Sequence, residues 1–342
     1  MLKVLSQSTE ILEQALRCAP NVQGRIFAKI AGWNVEVVAP AQSYLDMCVR
    51  GLANVLATKP DHIDFTIVAA DSALTKFLLP RPFDDCGLSA RDREVLRRDH
   101  GLQYATIGHP HIVQLFDEHR RVGVQLTCFD GQLPPWEPGS VLKSFAYWIA
   151  SQNGMFLQHA GTLFENSKGL LFVGRGGSGK SGTVLAGLCA GMKSCGDDHV
   201  AIEFGGTIKA KSIYKLMKQD QAGLERCGFK PEQFSQIKRN WQNKIETLPE
   251  AIGLPAFEDV GPISAIVFPR VEQDLKSEFK QIALAEVLDG LVATNRAEGS
   301  ENLPRSIAYT LRLFKSLPIY RLSLGSDVRH LVQTVRRLIE LC

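Results

Sequence analysis

The stretch Leu170-Leu-Phe-Val-Gly174-Arg-Gly-Gly-Ser-Gly179-Lys180-Ser181 decides the reading of the fold. It matches GxxxxGK[ST] at every fixed position, and the match has the context the motif requires. Four apolar residues, Leu170–Val173, read as a buried strand before it. Thr183-Val-Leu-Ala-Gly-Leu-Cys-Ala190 reads as a helix after it, with Gly191 as the C-cap. Gly174, Gly176, Gly177 and Gly179 allow successive backbone N–H groups to face phosphate oxygens at the positive end of that helix. The expected nucleotide-binding segment is Gly174, Arg175, Gly176, Gly177, Ser178, Gly179, Lys180, Ser181 and Gly182. Within it Lys180 would bridge the β- and γ-phosphates of ATP, and the Ser181 hydroxyl would ligate Mg²⁺.

A carboxylate pair follows in Cys195-Gly-Asp197-Asp198-His199. A phosphoryl-transfer enzyme needs one carboxylate to hold Mg²⁺ and gains from a second that accepts the substrate's hydroxyl proton, so two adjacent acids can divide these tasks. Strands are expected at Met155–Leu157, Gly161–Phe164 and Ile263–Phe268. Ser140 reads as the N-cap of a helix with Val141, Leu142, Phe145, Trp148 and Ile149 on one face. A helix around Ile307–Ser316, a strand Ile319–Leu324 and a final helix opened by Ser326-Asp327 close the chain. This alternation favours an α/β or mixed-sheet nucleotide-binding core.

The clearest break is Asp130-Gly-Gln-Leu-Pro-Pro-Trp-Glu-Pro-Gly139, too rich in proline and glycine for a continuous helix or central strand. It divides the chain into an α+β domain over 1–130, a linker at 131–139 and a nucleotide-binding domain over 140–342. The first domain shows strand-like runs at Ile26–Val38, Ile63–Ala69 and Val122–Cys128, with helical stretches at Glu10–Arg17 and Gln42–Val55. The total of 342 residues suits two domains. With 39 Lys plus Arg against 36 Asp plus Glu, the net charge of +3 points to neither nucleic acid nor an anionic membrane as partner. The N-terminus lacks the apolar stretch of a signal peptide, so the expected location is the cytoplasm. Eight cysteines without a CxxC pair read as reduced thiols.

Together the motifs resemble the HPr kinase/phosphorylases and their HPr-kinase-like relatives. That family carries a His-Gly, a P-loop after a short pair of strands, and an Asp-Asp after the P-loop helix. Here they correspond to His159-Ala160, Gly174–Ser181 and Asp197-Asp198, with His159 lying 21 residues before Lys180 (180 − 159) and Asp198 lying 18 after it (198 − 180). The resemblance is clear over about residues 155–205. It implies an α/β fold, a P-loop kinase core with a mixed central sheet of the HPr-kinase/PEP-carboxykinase type, preceded by a smaller α+β domain. It further implies that Asp198 accepts the proton of the substrate hydroxyl, with Lys180 and His159 at the reaction centre. Ser181 would hold Mg²⁺, and Asp197 would support the metal or Lys180. The chain departs from the family in two places. Gly182 stands where the family has Glu after Lys-Ser, and the downstream Glu-Ile-Arg-Gly-Leu-Gly signature is absent. The departures point away from HPr itself as the acceptor.

Arg270, in Val267-Phe-Pro-Arg-Val271, reads either as an arginine finger in cis or as a surface arginine, and Arg175 and Arg321 are weaker candidates. Lys209-Ala-Lys-Ser-Ile-Tyr-Lys-Leu-Met-Lys218 reads as a solvated basic face or as a grip for an acidic substrate. His109-Pro-His111, with His119 after it, lacks further ligands at a recognised metal spacing. The expected activity is an ATP- and Mg²⁺-dependent transfer to an aliphatic hydroxyl, a serine of a protein or peptide or a small molecule. The partner is this hydroxyl-bearing acceptor, without nucleic acid or membrane, and a homo-oligomer stays open. The alternative is a non-catalytic, ATP-sensing regulatory or scaffold protein.

Overall fold

The computed structural model describes residues 2–78, 88–107, 112–127, 133, 135, 137–234, 237, 239–272, 276–287 and 303–342. His109, His111, Cys86, Cys128 and most of the 130–136 stretch lie outside the described residues. The chain is a mixed α/β protein that divides into two units, Met1–Asn153 and Gly154–Cys342, each built around a large mixed sheet.

In the first unit the strands are β1 (Arg25–Ile30), β2 (Trp33–Val38), β3 (Val55–Leu56), β4 (Phe65–Ala70), β5 (Leu102–Ile107), β6 (Ile112–Asp117) and β7 (Val122–Thr127). They stand in the order β3-β1-β2-β4-β7-β6-β5, with β2, β4 and β7 mutually parallel. The run Ile26–Val38 folds back on itself because Ala31 (φ 50°) and Gly32 (φ 91°) form a two-residue turn whose twist matches the strands. The helices are α1 (Leu2–Cys18), α2 (Gln42–Gly51), α3 (Ser72–Leu78), α4 (Ala90–His100) and α5 (Lys143–Gln152). Ser89 and Asp92 form a capping box at the start of α4. Ile11, Leu12 and Ala15 of α1 and Leu96 of α4 pack on Val68, Leu115 and Val124 of the sheet.

Side chains alternate along a strand, so Phe116 faces away from that cluster. It stacks with Phe65 (5.7 Å between ring centroids) and Trp148 (5.8 Å) and meets Phe145 edge-on (6.4 Å). Gly123 permits the approach, since a Cβ there would stand 2.5 Å from Phe145. These aromatic contacts make α5 part of the first unit, whereas the sequence groups it with the second. Nor does Ser140 cap α5, which starts after Leu142 in a left-handed conformation (φ 57°) with no side-chain cap. Beneath α2, a polar chain is buried. Gln114 Nε2 donates to Gln125 Oε1 (2.7 Å), Gln125 Nε2 to the Tyr44 hydroxyl (3.0 Å), and that hydroxyl and the Leu142 amide to Glu137 Oε1 (3.5 and 3.1 Å).

In the second unit β8 (Phe156–Glu165), β9 (Lys168–Val173), β10 (His199–Glu203), β11 (Lys209–Ser212), β14 (Val260–Pro262), β15 (Ala265–Val271), β16 (Glu278–Gln281) and β17 (Ile319–Leu324) form one sheet. Its order is β14-β11-β10-β8-β9-β15-β17-β16, and β9, β15 and β17 are parallel. A separate hairpin pairs β12 (Met217–Gln219) with β13 (Ile245–Thr247). The helices are α6 (Lys180–Cys189), α7 (Gln221–Arg226), α8 (Leu303–Ser316) and α9 (Val328–Leu341). One apolar cluster joins Val184 and Leu188 of α6 and Val335 and Leu338 of α9 to Phe172, Val267 and Leu322. Another joins Leu313 and Phe314 of α8 to Leu171, Val173 and Ile266. Alternation thus puts helices on both faces of the parallel strands, which explains their near-continuous apolar sequences. Among the described residues no helix is long and apolar enough to cross a membrane, and the six described cysteines are thiols.

Candidate functional site

Gly174–Gly179 connects β9 to α6 at the carboxyl end of the parallel strands. Gly174, Gly177 and Gly179 have φ of 150°, 80° and 101°, and a Cβ on Gly179 would also run into Leu324 of β17. Lys180 is buried, and its ammonium donates to the carbonyl oxygens of Gly174 (2.6 Å) and Arg175 (3.1 Å), so the loop closes round its own cation.

Antiparallel pairing sets the other wall. β10 meets β8 in a register that places His199 opposite His159, and the rings stack with centroids 5.0 Å apart. The approach to β10 stays beside β8, with Thr162 N donating to Gly196 O and Ala160 N to Asp198 O, both at 2.9 Å. Gly161 lets α6 come close, because a Cβ there would stand 2.6 Å from Val184. The first turn of α6, with Ser181, is thereby held near Asp197.

The two aspartates occupy opposite environments. Asp197 Oδ2 accepts from the Lys218 amide (2.9 Å) and Gln219 Nε2 (3.3 Å), while Oδ1 is buried without a hydrogen-bond partner. Burial raises the pKa of Asp197, and the Ser181 hydroxyl and the Lys218 amide offset part of that rise. Asp198 Oδ1 lies 3.3 Å from His159 Nε2, and its Oδ2 lies 2.5 Å from Lys218 Nζ and 3.2 Å from His199 Nδ1. Burial pushes Asp198 upward too, but the Lys218 ammonium and then the two histidines hold it well below the ordinary carboxylate value. Lys218 is correspondingly raised: burial acts against its charge, and Asp198 more than restores it.

A buried carboxyl with one oxygen lacking a donor, neighboured by a serine hydroxyl, offers hard oxygens suited to Mg²⁺, which binds through one or two protein oxygens together with phosphate oxygens and water. Ser181 and Asp197 therefore fit that ion. No cluster of three or more His, Cys, Asp or Glu forms a metal cage among the described residues.

Gly174–Ser181, Asp197, Asp198 and His159 thus all belong to one region of the second unit. Gly182 lies in the first turn of α6, and Arg175 is exposed. Arg270 does not join the carboxylates: its side chain is 69% exposed and its Nε pairs with Glu272 at 3.2 Å. Arg321 lies 3.7 Å from Glu286. The basic run Lys209–Lys218 is not a uniformly solvated face, because β12 turns Lys218 and Gln219 inward, and Gln219 Nε2 also donates to Ser181 O at 2.8 Å. Sequence reading missed Gln219 and named Lys218 only as the end of this basic run. Nothing in the run marks Lys218 apart from Lys209, Lys211 or Lys215; its pairing opposite the buried Glu246 in the β12–β13 hairpin does.

No protein-family model matches the chain, and no curated protein matches it. Among solved structures it is similar to the HPr(Ser) kinase/phosphatase from Coxiella burnetii, with 12% identity and a TM-score of 0.29 over 54% of this chain and 96% of that one. The likeness is a weak, distant one to a kinase-like fold.

Proposed function

We propose that the second unit binds ATP with Mg²⁺ and transfers the γ-phosphoryl group to an aliphatic hydroxyl, of a serine in a protein or peptide or of a small molecule. One observation carries the reading: the glycine-rich loop that buries Lys180 leads into Ser181, whose hydroxyl neighbours the Asp197 carboxyl with its orphaned Oδ1, and the adjacent Asp198 is kept as an anion. The loop amides and Lys180 would bind the β- and γ-phosphates. Ser181 and Asp197 would hold Mg²⁺, which supplies charge neutralisation between the two phosphates. Asp198 would accept a hydrogen bond from the acceptor hydroxyl and orient its oxygen. So acidic a carboxyl is a weak base, but in a loose transition state the hydroxyl loses its proton late, once the new P–O bond has made it strongly acidic. His159 keeps Asp198 aimed and ionised.

Incubating the full chain with Mg²⁺, γ-labelled ATP and cell extract, with Lys180→Ala and Asp198→Asn alongside, tests the reading. Labelled product with the wild type and loss in both variants supports transfer. Nucleotide binding without labelled product or hydrolysis overturns it. A second reading, nucleotide sensing without transfer, draws on the fact that both Asp198 oxygens already have partners. It requires Asp198→Asn to keep biological function while Lys180→Ala loses it.

A further inference from the structure

Phosphoryl transfer spreads negative charge over three equatorial oxygens, and sites that catalyse it bring up cations from more than one side. Lys180 approaches from the loop. Arg270, the cation the sequence offers for the other side, is solvated and bridged to Glu272. The β12–β13 hairpin supplies a different one. Lys218 Nζ makes the shortest of the described contacts to Asp198, at 2.5 Å.

We propose that Lys218 is a catalytic residue of this site, the second cation beside Lys180, standing on the acceptor side of the transferring phosphoryl group. The proposal rests on the phosphoryl-transfer reading above. Three observations carry it. First, the Lys218 side chain is only 15% exposed, and a buried ion pair is a poor way to gain stability alone, since an apolar pair of similar volume often does as well or better. Second, Lys218 is held by its backbone as well as by its ammonium. Its amide holds Asp197 Oδ2 (2.9 Å), and Gln219 holds both Asp197 and the Ser181 carbonyl, so the hairpin fixes Nζ relative to both aspartates and the first turn of α6. Third, a hydroxyl that donates to Asp198 sits about 2.7 Å from the carboxylate. Nζ contacts Oδ2, so for a hydroxyl that donates to that oxygen it lies within about 5 Å of the attacking oxygen.

In the step it serves, the acceptor oxygen bonds to the γ-phosphorus. The bond from that phosphorus to the β,γ-bridging oxygen breaks with its electron pair left on ADP, and the hydroxyl proton passes to Asp198 and on to solvent. Lys218 exchanges no proton and forms no covalent bond. It lowers the energy of charge that exists only during transfer, which separates its effect from ground-state nucleotide binding.

The test measures binding of MgADP and of MgADP with tetrafluoroaluminate, a planar mimic of the transferring group, to the full-length wild type, Lys218→Arg and Lys218→Gln. The wild type is expected to bind the fluoroaluminate complex at least 100-fold tighter than MgADP. Lys218→Gln should keep MgADP affinity within about three-fold and lose at least 30-fold of the added affinity, while Lys218→Arg retains most of it. A full gain in Lys218→Gln overturns the proposal. Loss of MgADP binding in Lys218→Gln, with or without loss in Lys218→Arg, shows that the lysine only holds the fold and overturns it too. If the wild type binds no MgADP, or binds it without any added affinity for the mimic, the phosphoryl-transfer reading itself fails.

Discussion

Glu137 in the first unit and Asp198 in the second are both carboxyl groups withdrawn from water, with 2% residue exposure and 16% side-chain exposure respectively. Their ionisation nevertheless goes opposite ways. At Glu137 burial wins over the Leu142 amide, the charge of Lys143 and the Tyr44 hydroxyl, and the pKa is pushed up to about 7. At Asp198 the same burial loses to an ammonium and two imidazoles in direct contact. Neutral donors and the weaker pull of Lys143 thus leave a buried acid near its protonated form, whereas an ammonium in direct contact keeps it charged. Within the sequence Glu137 is an unremarkable acid before Pro138-Gly139, and its polar chain through Tyr44, Gln125 and Gln114 reads as a structural device of the first unit.

If the second unit carries the chemistry and the first unit does not, charge changes should separate into effects on activity and effects on stability. The largest effect is expected for Lys180→Ala, which removes the loop cation: turnover of MgATP should fall roughly a thousand-fold with the first unit's unfolding midpoint unmoved. A variant that keeps a tenth of the wild-type rate breaks the comparison.

Next comes the pH dependence of the first unit. The pKa of Glu137 is higher folded than its ordinary value of 4.5, so the native state binds the extra proton, and stability is full below about pH 4.5 and is lost as pH rises through about 7. The total loss is about 3 kcal/mol, and Glu137→Gln, which keeps the Oε1 acceptor, should flatten it in urea denaturation followed at several pH values. An unchanged pH slope in that variant would place the carboxyl's titration elsewhere.

Gly179→Ala should destabilise the second unit by about 2 kcal/mol, since a left-handed conformation is strained for alanine and the methyl group meets Leu324. Chemical denaturation measures it, and MgADP affinity should drop with it. The smallest effect belongs to Ser89→Ala, which opens the capping box of α4 and costs about 1 kcal/mol in the first unit without changing turnover.

Part of this molecule is legible from local pattern. The apolar run Leu170–Val173 is β9, the glycines after it turn the chain, Thr183–Cys189 falls within α6, and Asp327 caps the last helix through the amides of Arg329 and His330. These signals lie within one or two turns of the residues they specify. The strands expected at Met155–Leu157 and Gly161–Phe164 merge into β8, and His159 between them belongs to the site because it lies opposite His199.

Other features depend on partners distant in sequence. The helix α5 reads equally well as the start of the second domain; it belongs to the first because Phe116, on β6, offers an aromatic face for Phe145 and Trp148. Lys218 and Gln219 reach the aspartates only through the pairing of β12 with β13, 26 positions apart at Gln219 and Ile245 (245 − 219). The sequence by itself determined which groups are available: a glycine-rich turn before Lys180 and Ser181, and two adjacent acids. Tertiary structure alone decided their states, because burial and counter-charge are set by segments that meet only on folding, and these leave Asp197 an oxygen to share and keep Asp198 ionised.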